Sequence, residues 1–125
     1  MKKIYLACPY SHKNKDIRKY RVKMANRKAA ELMIAGNIVF SPLSHSHPIS
    51  ECFNTSPRGH AFWLKQDLWI LDICDELHIL CLPEWEKSIG IAIEIQAARD
   101  KNMSIVYDNL PKIPIQDPKR GLCNV

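Results

Sequence analysis

Leu77-His78-Ile79-Leu80-Cys81-Leu82, followed a few residues later by Ser88-Ile89-Gly90-Ile91-Ala92-Ile93-Glu94, decides the fold. The first run is nearly all apolar and reads as a strand buried in a parallel sheet. The second opens a helix on small residues. A strand that passes through a loop into such a helix N-terminus is where α/β proteins receive anionic ligands. Glu94 falls about one helical turn inside that helix. A carboxylate beside a potential phosphate site points to chemistry on a nucleotide's sugar. Phosphoryl transfer would call for a basic residue or a metal cluster there instead.

Working outward, residues 3–8 read as a first strand that Pro9 ends. Asp16 is placed to cap a helix running to about Ala35, with Val22, Ala25, Ala29, Leu32 and Met33 on one face. Gly36 follows as its C′ residue. Asn37–Ser41 reads as a second strand, and residues 42–59 as a long loop rich in Pro, Ser and His. A helix over Gly59–Ile73, a strand over 76–82, a helix over 88–101 and a strand over Met103–Tyr107 complete the pattern. The order βαβαβαβ predicts a Rossmann-like (flavodoxin-like) three-layer α/β sandwich with a four- to five-stranded parallel sheet. Residues 1–108 form the single domain. Residues 109–125 form an extended, Pro-containing tail. Ligands in such folds bind beyond the carboxyl ends of the strands. Those ends are Cys8–His12, Ser41–His47 and Pro83–Gly90, which therefore converge.

A chain of 125 residues is one domain. No apolar run approaches the roughly 20 residues that span a bilayer. The N-terminus enters its first strand too soon for a signal sequence, so a cytoplasmic protein is expected. Five cysteines without C-x-x-C spacing read as reduced thiols, not as a disulfide framework or a metal site. The net charge is +5, and its densest cluster, Lys13 to Lys28, reads as a solvated helix face that also attracts an anionic small molecule. No aromatic-interleaved basic patch accompanies it, so nucleic acid is not an expected partner.

Glu94 is the first candidate catalytic residue. Read blandly, it is a surface glutamate near a positive helix end. Asp67 is the second, because aspartate is a poor residue for the interior of so apolar a helix. Read blandly, Lys65 and Gln66 keep it on a solvated face. Asp72 and Asp75 read as flanking that helix end and the next strand. Ser88 offers a phosphate its hydroxyl and backbone N–H groups, or is a plain N-cap. Gly90 lets a ligand approach the backbone. His45 and His47 lack a third ligand at metal spacing and read as hydrogen-bonding a loop or a ligand.

The chain resembles the nucleoside 2-deoxyribosyltransferase superfamily, nearest its 2′-deoxynucleoside 5′-phosphate N-hydrolase branch. Ile4-Tyr5-Leu6-Ala7 is similar to the opening strand, Gln66-Asp67-Leu68 to the Q-D-L helix and Ser88–Glu94 to the S-x-G-x-x-x-E signature. The likeness spans about residues 2–107. The Ser-Pro-Leu-Ser-His-Ser-His-Pro stretch and Trp85-Glu86-Lys87-Ser88 look more like an uncharacterised sub-branch. The resemblance implies Glu94 as the nucleophile at C1′ and Asp67 as the acid that protonates the departing base. It implies Ser88 and Gly90 at the 5′-phosphate. It places Tyr5 to Ser11, among them Ala7, Cys8 and Tyr10, in the loop that closes over base and sugar. Where the branch carries small residues and an arginine in that loop, this chain has Ala7-Cys8-Pro9-Tyr10-Ser11-His12. The resemblance further implies a polar side chain lent by a neighbouring subunit's C-terminal region, to which no residue of Asn109–Val125 is assigned.

The expected reaction is hydrolysis of the N-glycosidic bond of (deoxy)nucleoside 5′-monophosphates through a glutamyl–sugar intermediate, without metal or organic cofactor. Glu94 is expected ionised and Asp67 protonated, since two close carboxyls resist double ionisation. Base exchange by a deoxyribosyltransferase and nucleotide binding without turnover are the alternatives. Phe62, Trp63, Leu68, Trp69 and Leu71 give the second helix more apolar surface than one sheet face needs, so a homodimer or higher even assembly is expected.

Overall fold

The computed structural model describes residues 1–53 and 60–112, His60 by its backbone alone. Four strands, β1 (Lys3–Ala7), β2 (Ile38–Phe40), β3 (Glu76–Leu80) and β4 (Ser104–Asp108), alternate with helices α1 (Lys15–Ile34), α2 (Pro42–Ser50), α3 (His60–Asp72) and α4 (Ile89–Asp100). A single 3₁₀ turn, Trp85–Lys87, precedes α4. The sheet is entirely parallel, in the order β2-β1-β3-β4. β1 is therefore flanked on both sides, with Tyr5 in register with Phe40 of β2 and Leu77 of β3.

Alternation along the strands sends side chains to two separate cores. Tyr5, Ala7, Leu77 and Ile79 pack with Leu71 of α3 and Ile91 and Ala98 of α4. Leu6 and Leu80 pack on the opposite face with Met24 and Ala29 of α1. This is the predicted α/β sandwich, with helices on both sides of four strands. The polar member of the β3 run, His78, is buried between two carboxylates: Nδ1 is 2.7 Å from Asp108 and Nε2 3.0 Å from Glu76. Glu76 also holds Lys2, at 2.7 Å. Asp72 pairs with Lys101, and Asp75 accepts the Lys3 N–H at 2.8 Å, so both flank α3 and β3 as expected.

Three details differ from the sequence reading. Asn14, not Asp16, caps α1, its Oδ1 accepting the Asp16 N–H at 2.8 Å. The inner face of α1 is Arg21, Met24, Ala25, Lys28 and Ala29, whereas Met33 is exposed. Part of the basic cluster thus points inward, with Lys28 paired to Glu31 at 2.7 Å. Residues 42–50 form a helix, not a loop. Pro42 at its first position lacks only an N–H that needs no partner there. Ser46 Oγ donates to the Pro42 carbonyl at 2.8 Å, and Leu43 is buried. Tertiary packing overrides the poor helix propensity of Ser, His and Pro.

Gly36 takes the left-handed conformation expected of a C′ residue, at φ +100°. Beyond β4 the backbone crosses toward α1, where the Lys112 N–H donates to Glu31 at 2.6 Å. The rest of the expected tail lies outside the described residues. Cys8, Cys52, Cys74 and Cys81 are free thiols. Among the described residues no helix is long and apolar enough to cross a membrane.

Candidate active site

The carboxyl ends of β1 and β3, with α2, α3 and the start of α4, enclose a cavity of about 740 Å³. Asp67 of α3 and Glu94 of α4 both line it. Each is almost fully buried, at 8% and 6% exposure, so neither is the solvated surface carboxylate of the bland reading. Beneath the cavity the Tyr5 hydroxyl, fixed in the central strand, donates a hydrogen bond to Glu94 Oε2. Burial, with the charges of Glu94 and Asp67 behind it, holds that phenol well above its usual range, so it stays a donor.

Burial also raises both carboxyls. It pushes Glu94 up to about 8, against the pull of the Tyr5 hydrogen bond, and the charge of Asp67 adds to the rise. It pushes Asp67 up to about 6, with the charge of His45 working against it. Burial thus favours the protonated form of both carboxyls, and two such groups at one cavity resist double ionisation.

Polar lining comes from the start of α4. Ser88 caps α4, its Oγ accepting the Ile91 N–H at 3.2 Å, and both Ser88 and Gly90 line the cavity. The bland N-cap reading of Ser88 is therefore what the hydrogen bonds show, with the hydroxyl still at the cavity wall. Lys87 and Glu84 lie beside them, paired at 3.2 Å. A buried arginine that the sequence reading passed over also reaches the cavity. Arg21 of α1 is 6% exposed, lines the cavity, and donates to the Ser11 carbonyl at 3.0 Å and the Pro83 carbonyl at 3.4 Å. Its signal in the sequence was the spacing with Met24, Ala25 and Lys28, which places an arginine on the buried face.

Apolar lining comes from Leu43 of α2, Phe53 and Trp63, the last two with rings 6.0 Å apart, and from Ile89 and Ile91 of α4. Cys8, Tyr10 and Ser11 line the cavity as expected. Burial pushes the Cys8 thiol up, outweighing Arg21, so it is no thiolate. Ala7 is fully buried in the core and does not reach the cavity. His45 is exposed, stacks on Phe40 at 5.7 Å and also lies outside the lining. Its neighbour His47 takes that place, hydrogen-bonded to the Tyr10 hydroxyl at 3.0 Å. The one-residue pattern H-x-H carried no cue to which ring faces inward until 42–50 was known to be helical. Among the described residues no group of three His, Cys, Asp or Glu side chains is arranged to hold a metal.

The architecture is that of a solved 2-deoxyribosyltransferase from the psychrotolerant bacterium Bacillus psychrosaccharolyticus. That protein superposes with a TM-score of 0.59 at 21% identity, over 94% of this chain and 78% of its own. The chain belongs to a family described as a domain of unknown function, DUF1937, whose model matches residues 2–109. No curated protein matches it.

Proposed function

We propose that this protein is an N-glycosidase that releases the base from (deoxy)nucleoside 5′-monophosphates. The observation that carries the reading is the meeting of two buried carboxyls, Glu94 and Asp67, in one cavity that cationic and apolar side chains also line. The cationic lining, with Arg21, Lys87 and the N-terminus of α4, suits a phosphomonoester. The apolar lining suits a flat base. The anomeric carbon then falls between the acids.

In the reactive form Glu94 is the carboxylate and Asp67 holds the proton. The pair shares one proton between about pH 6 and pH 8. Glu94 attacks C1′ and the C1′–N bond breaks. Its electron pair goes to the base nitrogen, which takes the proton from Asp67. Tyr5 holds the attacking oxygen in place. Water, deprotonated by the Asp67 carboxylate, then attacks C1′ and frees Glu94. The transferase named in the structural comparison supports a second outcome, in which a free base replaces water.

The test is to incubate the protein with ribo- and deoxyribonucleoside monophosphates and to separate free base by chromatography. A parallel reaction with an added acceptor base reads out transfer. No base from any substrate overturns the reading. Because only the singly protonated pair reacts, kcat/KM is expected to be bell-shaped, with limbs near about 6 and about 8. A profile flat from pH 5 to 9 would separate the carboxyls from the chemistry.

The same reading includes a homodimer or higher even assembly with a cytoplasmic, cofactor-free enzyme in each domain of residues 1–108. Trp69, 68% exposed, and Ile73 and Phe62 on the outer side of α3 support it. Trp69→Arg is expected to halve the mass measured by light scattering. An unchanged mass would move the interface elsewhere.

A further inference from the structure

The hydrogen bond between Tyr10 and His47 is not used by the chemistry above. It joins residues far apart in sequence, one on the loop after β1 and one on α2, across the cavity wall. The two rings meet edge to face, with centroids 5.7 Å apart at 72°. His47 Nε2 lies 3.8 Å from Glu51 Oε1. In the tautomer that carries its proton on Nε2, Nδ1 accepts from the Tyr10 hydroxyl. The clasp therefore presents a hydroxyl donor and an imidazole acceptor side by side.

β2 and β3 flank β1 on opposite sides, so α2 and the start of α4 stand on opposite sides of the cavity. Arg21, which donates to the Pro83 carbonyl at 3.4 Å, lines the cavity with Lys87 and Ser88, and Leu43 lines it with Phe53 and Trp63, whose rings lie 6.0 Å apart. With the phosphate on the first group and the sugar between the acids, the base is directed to the second, where the clasp lies.

We propose that Tyr10 and His47 are the specificity-determining residues of this site and select a heteroaromatic base whose edge carries a hydrogen-bond donor beside an acceptor. The inference rests on the function proposed above. Such an edge, a lactam or an amidine, enters the clasp by giving its donor to His47 Nδ1 and accepting from the Tyr10 hydroxyl. Both groups then stay paired. A base whose edge lacks the donor parts them and leaves His47 Nδ1 unpaired, which a site built for hydrogen bonding penalises heavily.

The experiment compares 6-amino- or 6-oxopurine 5′-monophosphate with unsubstituted purine 5′-monophosphate. Wild type is expected to favour the substituted base by about tenfold or more in kcat/KM. In Tyr10→Phe and His47→Ala that ratio should fall by about tenfold. Using the change in the ratio cancels the different leaving abilities of the two bases. A merely structural clasp would slow both substrates equally, and an unchanged ratio overturns the proposal. The same ratio is read by calorimetric binding to Glu94→Gln protein with an intact or a mutated clasp. A binding ratio that shifts while wild type releases no base refutes the glycosidase reading and keeps the clasp. Turnover with an unshifted ratio does the reverse.

Discussion

Glu94→Gln will release no detectable base from nucleoside monophosphates, a loss of roughly 10⁴-fold or more, and will be the more heat-stable protein. The first half follows from chemistry. An amide oxygen is too poor a nucleophile to bond to C1′, and removing a nucleophile costs losses of this order or larger. The second half follows from burial. A carboxyl raised to about 8 binds its proton more tightly folded than unfolded, where its value is 4.5. Stability therefore falls as pH climbs from the unfolded value through the folded one, and the full penalty, on the order of a few kcal/mol, is present above about pH 8. Glutamine is neutral at every pH and can still accept from Tyr5. Melting curves at pH 9 should place the variant several degrees above wild type, with the gap closing toward pH 4.5. Activity surviving in Glu94→Gln would remove the nucleophile assignment. A variant less stable than wild type at pH 9 would contradict the burial argument on its own.

Asp67→Asn is expected to cost about 10²- to 10⁴-fold in kcat, the usual worth of a positioned acid–base group. The loss should depend on the leaving group. An activated base that departs as a stable anion needs no proton, so the deficit should shrink for it. The alkaline limb of the pH profile should vanish as well, since the proton that it reports is gone. A loss below tenfold, equal for good and poor leaving groups, would make Asp67 a structural partner of Glu94.

Much of this site was legible because its residues stand out against their local sequence. An aspartate inside an apolar helix is costly, a glutamate one turn into a small-residue helix sits where anionic ligands are received, and both prove to be buried at the same cavity. The parallel sheet was legible from apolar runs alternating with helical spacing. What stayed hidden depended on rotation and on packing. The register of α1 decides that Arg21 faces inward, and the predicted face, which shares Ala25 and Ala29 with the buried one, is rotated from it by about a sixth of a turn. α2 is built from residues that favour loops, so only its contacts with the rest of the protein reveal it. Without that helix, His45 and His47 could not be told apart.

Tyr5 sits in β1, one of the two strands with neighbours on both sides, the part of a sheet expected to open last. The hydroxyl that steadies Glu94 is thereby bolted to the most protected amides of the chain. Partial fraying of the outer helices would leave that anchorage untouched. Catalytic capacity should therefore survive warming until the cooperative collapse of the whole sheet, and not fade ahead of it.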